Sequence, residues 1–240
     1  MRLLCLDFGN SLLKGVVLAN GIIESRIQFS ENNVDPLISL LKNNSFEWCI
    51  LSSVIYHDKE IEAIISTHCP LQLISYQSKL NFSINVEQPE TIGADRLALL
   101  AGAMVKFPEK PVLIISVGTC ITYSYVDASS TFQGGSISPG VDMRFKAMHH
   151  YTSKLPQASL YEHVDLIGKN TLANLQSGVF HGLIGEINHF IDAFYTDNPL
   201  GEVILTGGHT PFFAERLKRR IFADPDLLFY GLQSLAHLNA

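Results

Sequence analysis

Apolar and polar positions along the chain predict an alternation of strands and helices. Two apolar runs near the start, LLCLDF and LLKGVVLA, predict a strand pair, and the Asn20–Gly21 turn predicts a hairpin into a third strand, IIESRIQF. Further apolar runs predict buried strands in EWCILSSVI, PVLIISVGT and GEVILTGGH. Apolar residues at helical spacing predict helices over Asp95–Phe107 and Thr171–Tyr195, and the whole pattern favours an α/β fold.

Shorter helices are predicted in DPLISLLKNN, KEIEAIISTH and PFFAERLKRRI. Asp35 is expected to cap the first of these, with Pro36 at its first helical position. The long helix contains Gly182 and Gly185, where a break is expected. The densest basic run, LKRR at Leu217–Arg220, is expected on the outer face of a C-terminal helix.

An internal repeat gives more information than any single element. Leu6–Glu24 aligns without a gap with Ile115–Gln133, so that Gly9 falls on Gly118 and Asn10–Ser11 falls on Thr119–Cys120. Each copy reads as a strand, a glycine turn, a strand, a polar turn and a third strand. Chance similarity between two hairpins is the alternative. A duplication predicts two equivalent lobes, with the two glycine turns facing each other across a cleft.

Composition and charge narrow the class of protein. The 240 residues are 47% hydrophobic and 17% charged, which supplies a sizeable core and argues against disorder. The formal charge is −6, so electrostatic attraction would not favour binding of this protein to nucleic acid or to an anionic membrane. Four cysteines without a CxxC pair fit a reducing cytoplasm, and no apolar run has the length of a membrane helix or a signal peptide.

The first glycine turn has the chemistry of a phosphate site. A tight turn at Gly9 directs backbone N–H groups outward, Asn10 and Ser11 add side-chain donors, and Lys14 brings a positive charge. Asp7 would repel a phosphate unless Mg²⁺ or its water shell lay between them, which indicates a metal-nucleotide. The alternative is an ordinary hairpin in which Asp7 caps its own turn.

A second glycine turn, LTGG, contains Gly207 and Gly208 between a predicted strand and a helix. Glycines there would let a flat base or a ribose approach the backbone. This turn favours the nucleotide interpretation over the ordinary hairpin.

Five stretches in order resemble the type III pantothenate kinases of the acetate kinase–sugar kinase–heat-shock 70–actin superfamily. They are DFGNS, GADR (Gly93–Arg96), VGTCIT, GGSISPG and LTGG, and the resemblance covers essentially the whole chain. It implies a duplicated two-lobed actin-like (ribonuclease H-like) α/β fold with the ligand cleft between the lobes. The expected N-terminal lobe is 1–110, and the expected C-terminal lobe is 111–240.

The resemblance also assigns roles to individual residues. Asp95 is implied to be the general base for the pantothenate hydroxyl, although a helix N-cap is the simpler explanation of the residue. Arg96 is implied to hold a polar group of pantothenate, or else it forms a structural ion pair. The remaining implied contacts are Gly93, Ala94 and Thr171 for the substrate, Gly9, Asn10, Ser11, Lys14, Gly118 and Thr119 for phosphate, and Gly207 and Gly208 for adenosine.

Three positions depart from the family pattern. Ser116 stands where the family has an aspartate, Ser124 stands at another aspartate position, and Val86 replaces a frequent tyrosine. The family resemblance implies K⁺ or NH₄⁺ as well as Mg²⁺ with ATP, and the loss of the carboxylate at Ser116 weakens the case for the monovalent ion. Asp127 lies nearby in sequence.

These features predict a cytoplasmic enzyme that phosphorylates pantothenate with ATP in the first step of coenzyme A synthesis. The resemblance implies a homodimer, with the helix over Thr171–Tyr195 as a candidate contact. One alternative is another small-molecule phosphotransferase of the superfamily. The other is a degenerate, non-catalytic nucleotide-binding member, against which the retention of Asp7, Lys14, Asp95, Arg96 and Thr119 argues.

Overall fold

A computed structural model describes residues 2–240 and contains two β-sheets and seven α-helices within that range. The strands are β1 (Arg2–Phe8), β2 (Leu13–Ala19), β3 (Ile22–Phe29), β4 (Trp48–Ser53), β5 (Leu71–Leu73), β6 (Ser83–Ile84), β7 (Val112–Val117), β8 (Cys120–Val126), β9 (Thr131–Pro139), β10 (Glu202–Thr206) and β11 (Phe222–Ala223). The helices are α1 (Asp35–Asn43), α2 (Lys59–Ser66), α3 (Ala94–Lys106), α4 (Val141–His150), α5 (Thr171–Asp197), α6 (Thr210–Ala214) and α7 (Leu227–Asn239).

The described chain divides into two compact units. One comprises residues 2–109, 129–133 and 226–240, and the other comprises 110–128 and 134–225. These units differ from the predicted lobes, 1–110 and 111–240, mainly because the C-terminal helix belongs to the first unit and not to the second. The functional roles that were assigned to the two lobes stay predictions.

The first unit is built on a five-stranded sheet in the order β3-β2-β1-β4-β5. β1 runs antiparallel to β2 and parallel to β4, so it is the central strand, and Leu3–Phe8 are all buried. Asn20 and Gly21 both have positive φ, as a tight right-twisting hairpin requires, which confirms the predicted turn. Phe8, Leu37 and Ile61 belong to the core that α1 and α2 form on this sheet.

Helices α3 and α7 of the first unit lie against each other at two glycines. A Cβ on Gly102 would stand 2.5 Å from the carbonyl oxygen of Leu227, and one on Gly231 would stand 1.7 Å from that of Ala98. No side chain fits at such distances, so the two backbones touch directly. This close approach is the physical reason that the last helix belongs to the first unit.

The second unit carries the strands β11-β10-β7-β8-β9 in that order. The 27-residue helix α5 covers this sheet with buried residues at helical spacing that include Leu183, Ile187 and Ile191. The expected break at Gly182 or Gly185 is wrong: both glycines lie inside one continuous helix, with open space where a Cβ would be. The first residues of β9 belong to the first unit, where Thr131 and Phe132 pair with β6.

The two copies of the repeat fold alike but differ in the length of the turn. β1–β2–β3 and β7–β8–β9 are both strand meanders, and Ser130 has the positive φ of its counterpart Gly21. Asp7 pairs with Lys14, whereas Ser116 pairs with Thr122 rather than with the aligned Tyr123. The second glycine turn is therefore one residue shorter, and the ungapped alignment fails at that point.

Two further local predictions are wrong. Asp35 is the first residue of α1 and lies after its N-cap Val34, so it interacts with the helix dipole without capping. The predicted helix over PFFAERLKRRI ends at Ala214, and the basic run Leu217–Arg220 lies outside any helix. Within residues 2–240, no helix combines the length and apolar character needed to cross a membrane.

Candidate active site

Asp7 lies buried at the end of the central strand of the first unit, with 5% of its surface exposed. The register of the hairpin places Lys14 directly opposite, with its Nζ 3.4 Å from Asp7 Oδ2. Ser52 at the end of the parallel neighbour β4 donates a hydrogen bond to Oδ1 at 3.2 Å. β1 thus pairs with β2 on one side and β4 on the other, and these two pairings hold the Asp7 carboxylate between the Lys14 cation and the Ser52 hydroxyl.

The electrostatics of Asp7 show which charges surround it. Burial raises the pKa of Asp7 above its ordinary value, Lys14 opposes that shift, and the charge of Asp95 adds to it. Asp7, Lys14 and Asp95 therefore lie close enough to interact. The structure brings together three of the four charged residues that the sequence analysis selected in the first unit, and the fourth, Arg96, follows Asp95 directly.

Asp95 lies in the first turn of α3, whose N-cap is Gly93. Its carboxylate turns back onto the helix terminus, where Oδ1 accepts the backbone N–H of Arg96 at 2.7 Å. A Cβ at Gly93 would stand 2.6 Å from this Oδ1, so the carboxylate could not keep this position beside a larger residue. The cap position itself is occupied by Gly93, which excludes the simpler explanation of Asp95 as the N-cap.

Burial raises the pKa of the Asp95 carboxyl, while the helix N–H groups, Arg96 and Lys14 act in the opposite direction. Because the net shift of the pKa is upward, this carboxylate is a stronger base than an aspartate in water. The geometry is suited to accepting a proton from a bound hydroxyl.

The guanidinium of Arg96 lies 5.3 Å from the ring centroid of Phe132, over the ring. Burial lowers the pKa of Arg96, and Asp95 counteracts the shift. The aromatic face fixes the orientation of this cation beside the candidate base. A guanidinium held in this way can bind a carboxylate through two parallel hydrogen bonds.

The first glycine turn is short and open to solvent. Gly9 N–H donates to the carbonyl of Leu12 at 3.2 Å, and Asn10 and Ser11 are exposed. A cavity of about 300 Å³ adjoins the turn, and Phe29, Glu31 and Ile55 are among its lining residues. The turn therefore has exposed donors at the end of β1, where the Asp7–Lys14 pair also lies.

The second glycine turn belongs to the second unit. Gly118 N–H donates to Cys120 at 3.0 Å, Thr119 is exposed, and the N–H of Gly140 donates to the carbonyl of Thr119 at 3.1 Å. A Cβ at Gly140 would stand 2.3 Å from the Gly118 carbonyl oxygen. The last glycine of GGSISPG is thus required to let its segment lie against the turn.

Gly207 and Gly208 follow β10 in the second unit and have different roles. Gly207 has a φ of +94°, and a Cβ there would stand 2.7 Å from the carbonyl oxygen of Val117. Gly208 has open space around it. The positive φ and the close approach to Val117 require a glycine at Gly207, whereas Gly208 leaves a surface that a flat group can approach.

Thr171 is the first residue of α5 and is exposed. The N-cap is Asn170, whose side chain accepts the N–H of Ala173 at 2.9 Å. The cap of α5 is therefore Asn170 and not Thr171, whose hydroxyl is not needed to begin the helix.

Ser116 lies in a row of hydroxyls across three strands of the second unit. It pairs with Thr122 on β8 and with Thr206 on β10. These partners add oxygen atoms but no negative charge. Ser124 is buried further along β8, and Val86 follows the short strand β6 of the first unit.

Sequence reasoning missed Ser52 and the partners of the second turn. A polar residue in the apolar run EWCILSSVI was a usable signal, because a serine in a buried strand needs a hydrogen-bond partner. No comparable signal marks Arg144 and Glu186 of the second unit, whose side chains form an ion pair across a large sequence separation.

Known proteins resemble this chain over nearly its full length. Residues 3–193 match the family model of the type III pantothenate kinases. A type III pantothenate kinase of Flavobacterium psychrophilum is 40% identical over 97% of this chain and 98% of its own length. One of Porphyromonas gingivalis strain W83 is 35% identical over 98% of each chain.

Solved structures identify the fold. A Campylobacter jejuni protein described as a Baf family transcriptional activator superposes with a TM-score of 0.64 at 21% identity, covering 98% of this chain and 97% of its own. The ROK hexokinase of Thermus thermophilus superposes with a TM-score of 0.51 at 14% identity over 98% of each chain. Sugar kinases among the structural neighbours are actin-like, which confirms the predicted α/β fold class. The matching family model and the full-length relatives confirm the predicted family as well: the chain is a kinase that belongs to the type III pantothenate kinases.

Proposed function

We propose that this protein transfers the γ-phosphoryl group of ATP to pantothenate and forms 4′-phosphopantothenate, the first step of coenzyme A synthesis. The observation that carries the proposal is the arrangement in the first unit. A buried Asp7–Lys14 pair ends the central strand, and Asp95 stands near it at a helix N-terminus kept open by Gly93. Phosphoryl transfer depends chiefly on positioning and charge neutralisation, and this arrangement provides both.

Asp95 is the base in this proposal. Its carboxylate accepts the proton of the pantothenate hydroxyl as the new P–O bond forms, and its raised pKa favours that transfer. Arg96, held over Phe132, binds the carboxylate of pantothenate. Gly93, Ala94 and Thr171 contribute the remaining substrate contacts, and the exposed hydroxyl of Thr171 is suited to that role.

ATP is bound through the glycine turns. Gly9, Asn10, Ser11 and Lys14 form one phosphate contact, and Gly118 with Thr119 forms the second. The surface left open at Gly208, after the backbone turn at Gly207, receives the adenosine. Each turn carries exposed side chains with hydrogen-bond donors, Asn10 and Ser11 in the first and Thr119 in the second, which is the chemistry that phosphate oxygens require.

A divalent metal accompanies the nucleotide, and Mg²⁺ fits the residues present. Mg²⁺ in kinases keeps several waters and is held by one or two carboxylates together with phosphate oxygens. Asp7 offers such a carboxylate beside the phosphate turn, in contact with Lys14 and Ser52. Mg²⁺ bound there supplies positive charge that offsets the charge of the phosphate oxygens.

A monovalent cation fits poorly. Ser116, Thr122 and Thr206 offer hydroxyl oxygens without net charge, where an aspartate would add about one unit charge. We expect K⁺ or NH₄⁺ to have little effect on this protein.

The protein acts in the cytoplasm as a homodimer. Exposed apolar side chains of the second unit support self-association, among them Ile137 (66% exposed) on β9 and Leu172 (45% exposed) on α5. Leu172 lies on the helix that begins at Thr171, and Ile137 extends the candidate contact beyond it.

A coupled assay of ATP consumption tests the proposal, with pantothenate, glucose and acetate compared and the product identified by mass spectrometry. We expect turnover with pantothenate alone. Turnover with a sugar or acetate but not pantothenate would favour another phosphotransferase, and Mg-ATP binding without turnover would favour a non-catalytic member. Asp95→Asn serves as the inactive control. Asp58→Asn, which alters the N-cap of α2, serves as its matched active control.

A further inference from the structure

A carboxylate on α5 joins two segments of the second unit that are far apart in sequence. Tyr123 on β8 donates its O–H to Glu186 Oε1 at 2.9 Å, and its ring stacks on Phe190 with centroids 3.8 Å apart. Arg144 on α4 donates from Nη2 to Glu186 Oε2 and forms an ion pair with it. Each oxygen of the carboxylate thus contacts a different element.

Arg144 uses its other donors to hold the segment before α4. Its Nε donates to the carbonyl of Pro139 at 2.9 Å, and Nη2 also donates to Ser138 Oγ at 2.8 Å. The next residue, Gly140, donates its N–H to the carbonyl of Thr119. The guanidinium therefore fixes the backbone that lies against the second glycine turn.

Tyr123 holds the other side of the same turn. β8 begins at Cys120, directly after Gly118 and Thr119, and Tyr123 is the middle residue of the strand, with 1% of its surface exposed. Through Tyr123 the carboxylate fixes the strand that leaves the turn, and through Arg144 it fixes the segment packed on the turn.

We infer that Glu186 is a positioning residue for the Gly118–Thr119 turn, acting through Arg144 and Tyr123, and that it sets the affinity of that turn for the phosphates of ATP. The inference rests on the proposed function, in which this turn contacts ATP. Phosphate contacts demand placement to within a fraction of an ångström, and a shift of about 1 Å in a positioning group can reduce rate on the order of 100-fold.

The network stays charged at the pH of a kinase assay. Burial acts to raise the pKa of Glu186, but hydrogen bonds from Arg144, Tyr123 and Ser138 outweigh it and hold that pKa below its ordinary value. Replacing the carboxylate by an amide directs an N–H₂ group or a weaker acceptor at Arg144, so the guanidinium loses its charged partner.

The test compares Glu186→Gln and Arg144→Lys with wild type by steady-state kinetics and by calorimetry of Mg-ATP binding. Arg144→Lys keeps the charge but loses the fork that reaches Pro139 and Ser138 together. The matched control is Asp192→Asn, which breaks another arginine pair of α5, the exposed one with Arg219. Tyr123→Phe is a milder variant that keeps the stacked ring and removes one hydrogen bond.

We expect both network variants to raise the KM for ATP on the order of tenfold, with a matching loss of Mg-ATP affinity and the KM for pantothenate unchanged within about twofold. Tyr123→Phe should give a smaller change in the same direction, and Asp192→Asn should give none. An ATP KM equal to that of wild type in folded Glu186→Gln and Tyr123→Phe would overturn the inference. So would equal increases in both KM values, because a purely structural loss affects both substrates.

The proposed function fails separately, through absence of pantothenate turnover in the wild type. Calorimetry still tests the positioning role in that event. Unchanged Mg-ATP affinity in Glu186→Gln would refute it, and a loss of affinity would support it.

Discussion

Asp7 and Lys14 face each other across the first hairpin, with 3.4 Å between Nζ and Oδ2, and the carboxylate is the more buried partner. The pairing answers two needs at once. It compensates the charge of Asp7, which burial disfavours, and it places the Lys14 cation at the base of the glycine turn.

Lys14→Met is expected to weaken Mg-ATP binding by about 10- to 100-fold, the equivalent of one hydrogen bond to a charged group. It should also lower the free energy of unfolding by about 1–3 kcal/mol at neutral pH, because it leaves the Asp7 carboxylate without its cation. Calorimetry and urea unfolding measure the two effects. Lys59→Met, which removes an exposed pair with Glu62, should change neither. Unchanged Mg-ATP affinity would mean that this hairpin is structural only.

The loss of stability in Lys14→Met is expected to shrink in acid. Burial raises the pKa of Asp7, and removing Lys14 raises it further, so the folded variant holds this proton to a higher pH than the unfolded chain does. The ionised Asp7 carboxylate therefore lowers the free energy of unfolding above the pKa of the folded state, and this loss disappears below the pKa of the unfolded chain. Unfolding of both proteins across pH 4–7 measures this, and a constant difference would contradict it.

Asp95→Asn is expected to reduce kcat by about 10²- to 10⁴-fold without loss of the folded state. The amide keeps the shape of the side chain and an oxygen for the N–H of Arg96, but it cannot accept the substrate proton. Steady-state kinetics with pantothenate checks this, beside circular dichroism of the variant. Near-normal turnover would show that the carboxylate only stabilises the helix terminus.

Asp95→Asn is also expected to raise the melting temperature at pH 7. Burial raises the pKa of Asp95, so the ionised form costs stability in the folded state, and the neutral amide removes that cost. The gain should vanish below about pH 3.9, where the aspartate of both folded and unfolded chains is protonated. Calorimetric melting of both proteins at pH 7 and below about pH 3.9 measures the difference in melting temperature. A lower melting temperature of the variant at pH 7 would contradict the expectation.

Gly93→Ala is expected to reduce kcat on the order of tenfold or more, because its Cβ would stand 2.6 Å from Asp95 Oδ1 and displace the base. Its backbone has a φ of −59°, so alanine meets no conformational strain and the effect reports the displacement. Gly182→Ala is the matched control: its Cβ meets open space within α5, and it should leave turnover intact and stabilise the helix by about 1 kcal/mol.

Turnover of the wild type is expected to respond little to K⁺ on the order of 0.1 M at constant ionic strength, because the row around Ser116 has no net negative charge. Ser116→Asp should introduce activation by K⁺. Assays in a bulky organic cation with and without K⁺ measure both. Saturable activation of the wild type would mean that oxygens other than a carboxylate at this position complete the site.

Much of the first unit was predictable because its signals are local. The asparagine–glycine turn, the apolar strand before Asp7 and the helical spacing after Asp95 each lie within a few residues of the feature they specify. The register of one hairpin then fixed the Asp7–Lys14 pair.

The rest depends on distances that no local pattern contains. Alignment of the repeats could not show that the second turn is one residue shorter. The next turn of each copy is aligned again, because Ser130 falls on Gly21 and shares its positive φ. Tyr123, Arg144 and Glu186 meet only after three elements pack together. The need for glycine at Gly93 follows from the position of a neighbouring carboxylate, which the sequence does not specify.

The glycine contact between α3 and α7 has a consequence for synthesis of the chain. The first unit needs residues 226–240, which leave the ribosome long after its strands and α3. At ~5–20 residues per second, that surface of α3 waits several seconds for its partner. During this interval Ala98 and Gly102 of α3 lack the helix that lies against them in the folded unit. The nascent protein therefore passes through a stage in which the first unit is incomplete, and a chain that lacks α7 would remain in that stage.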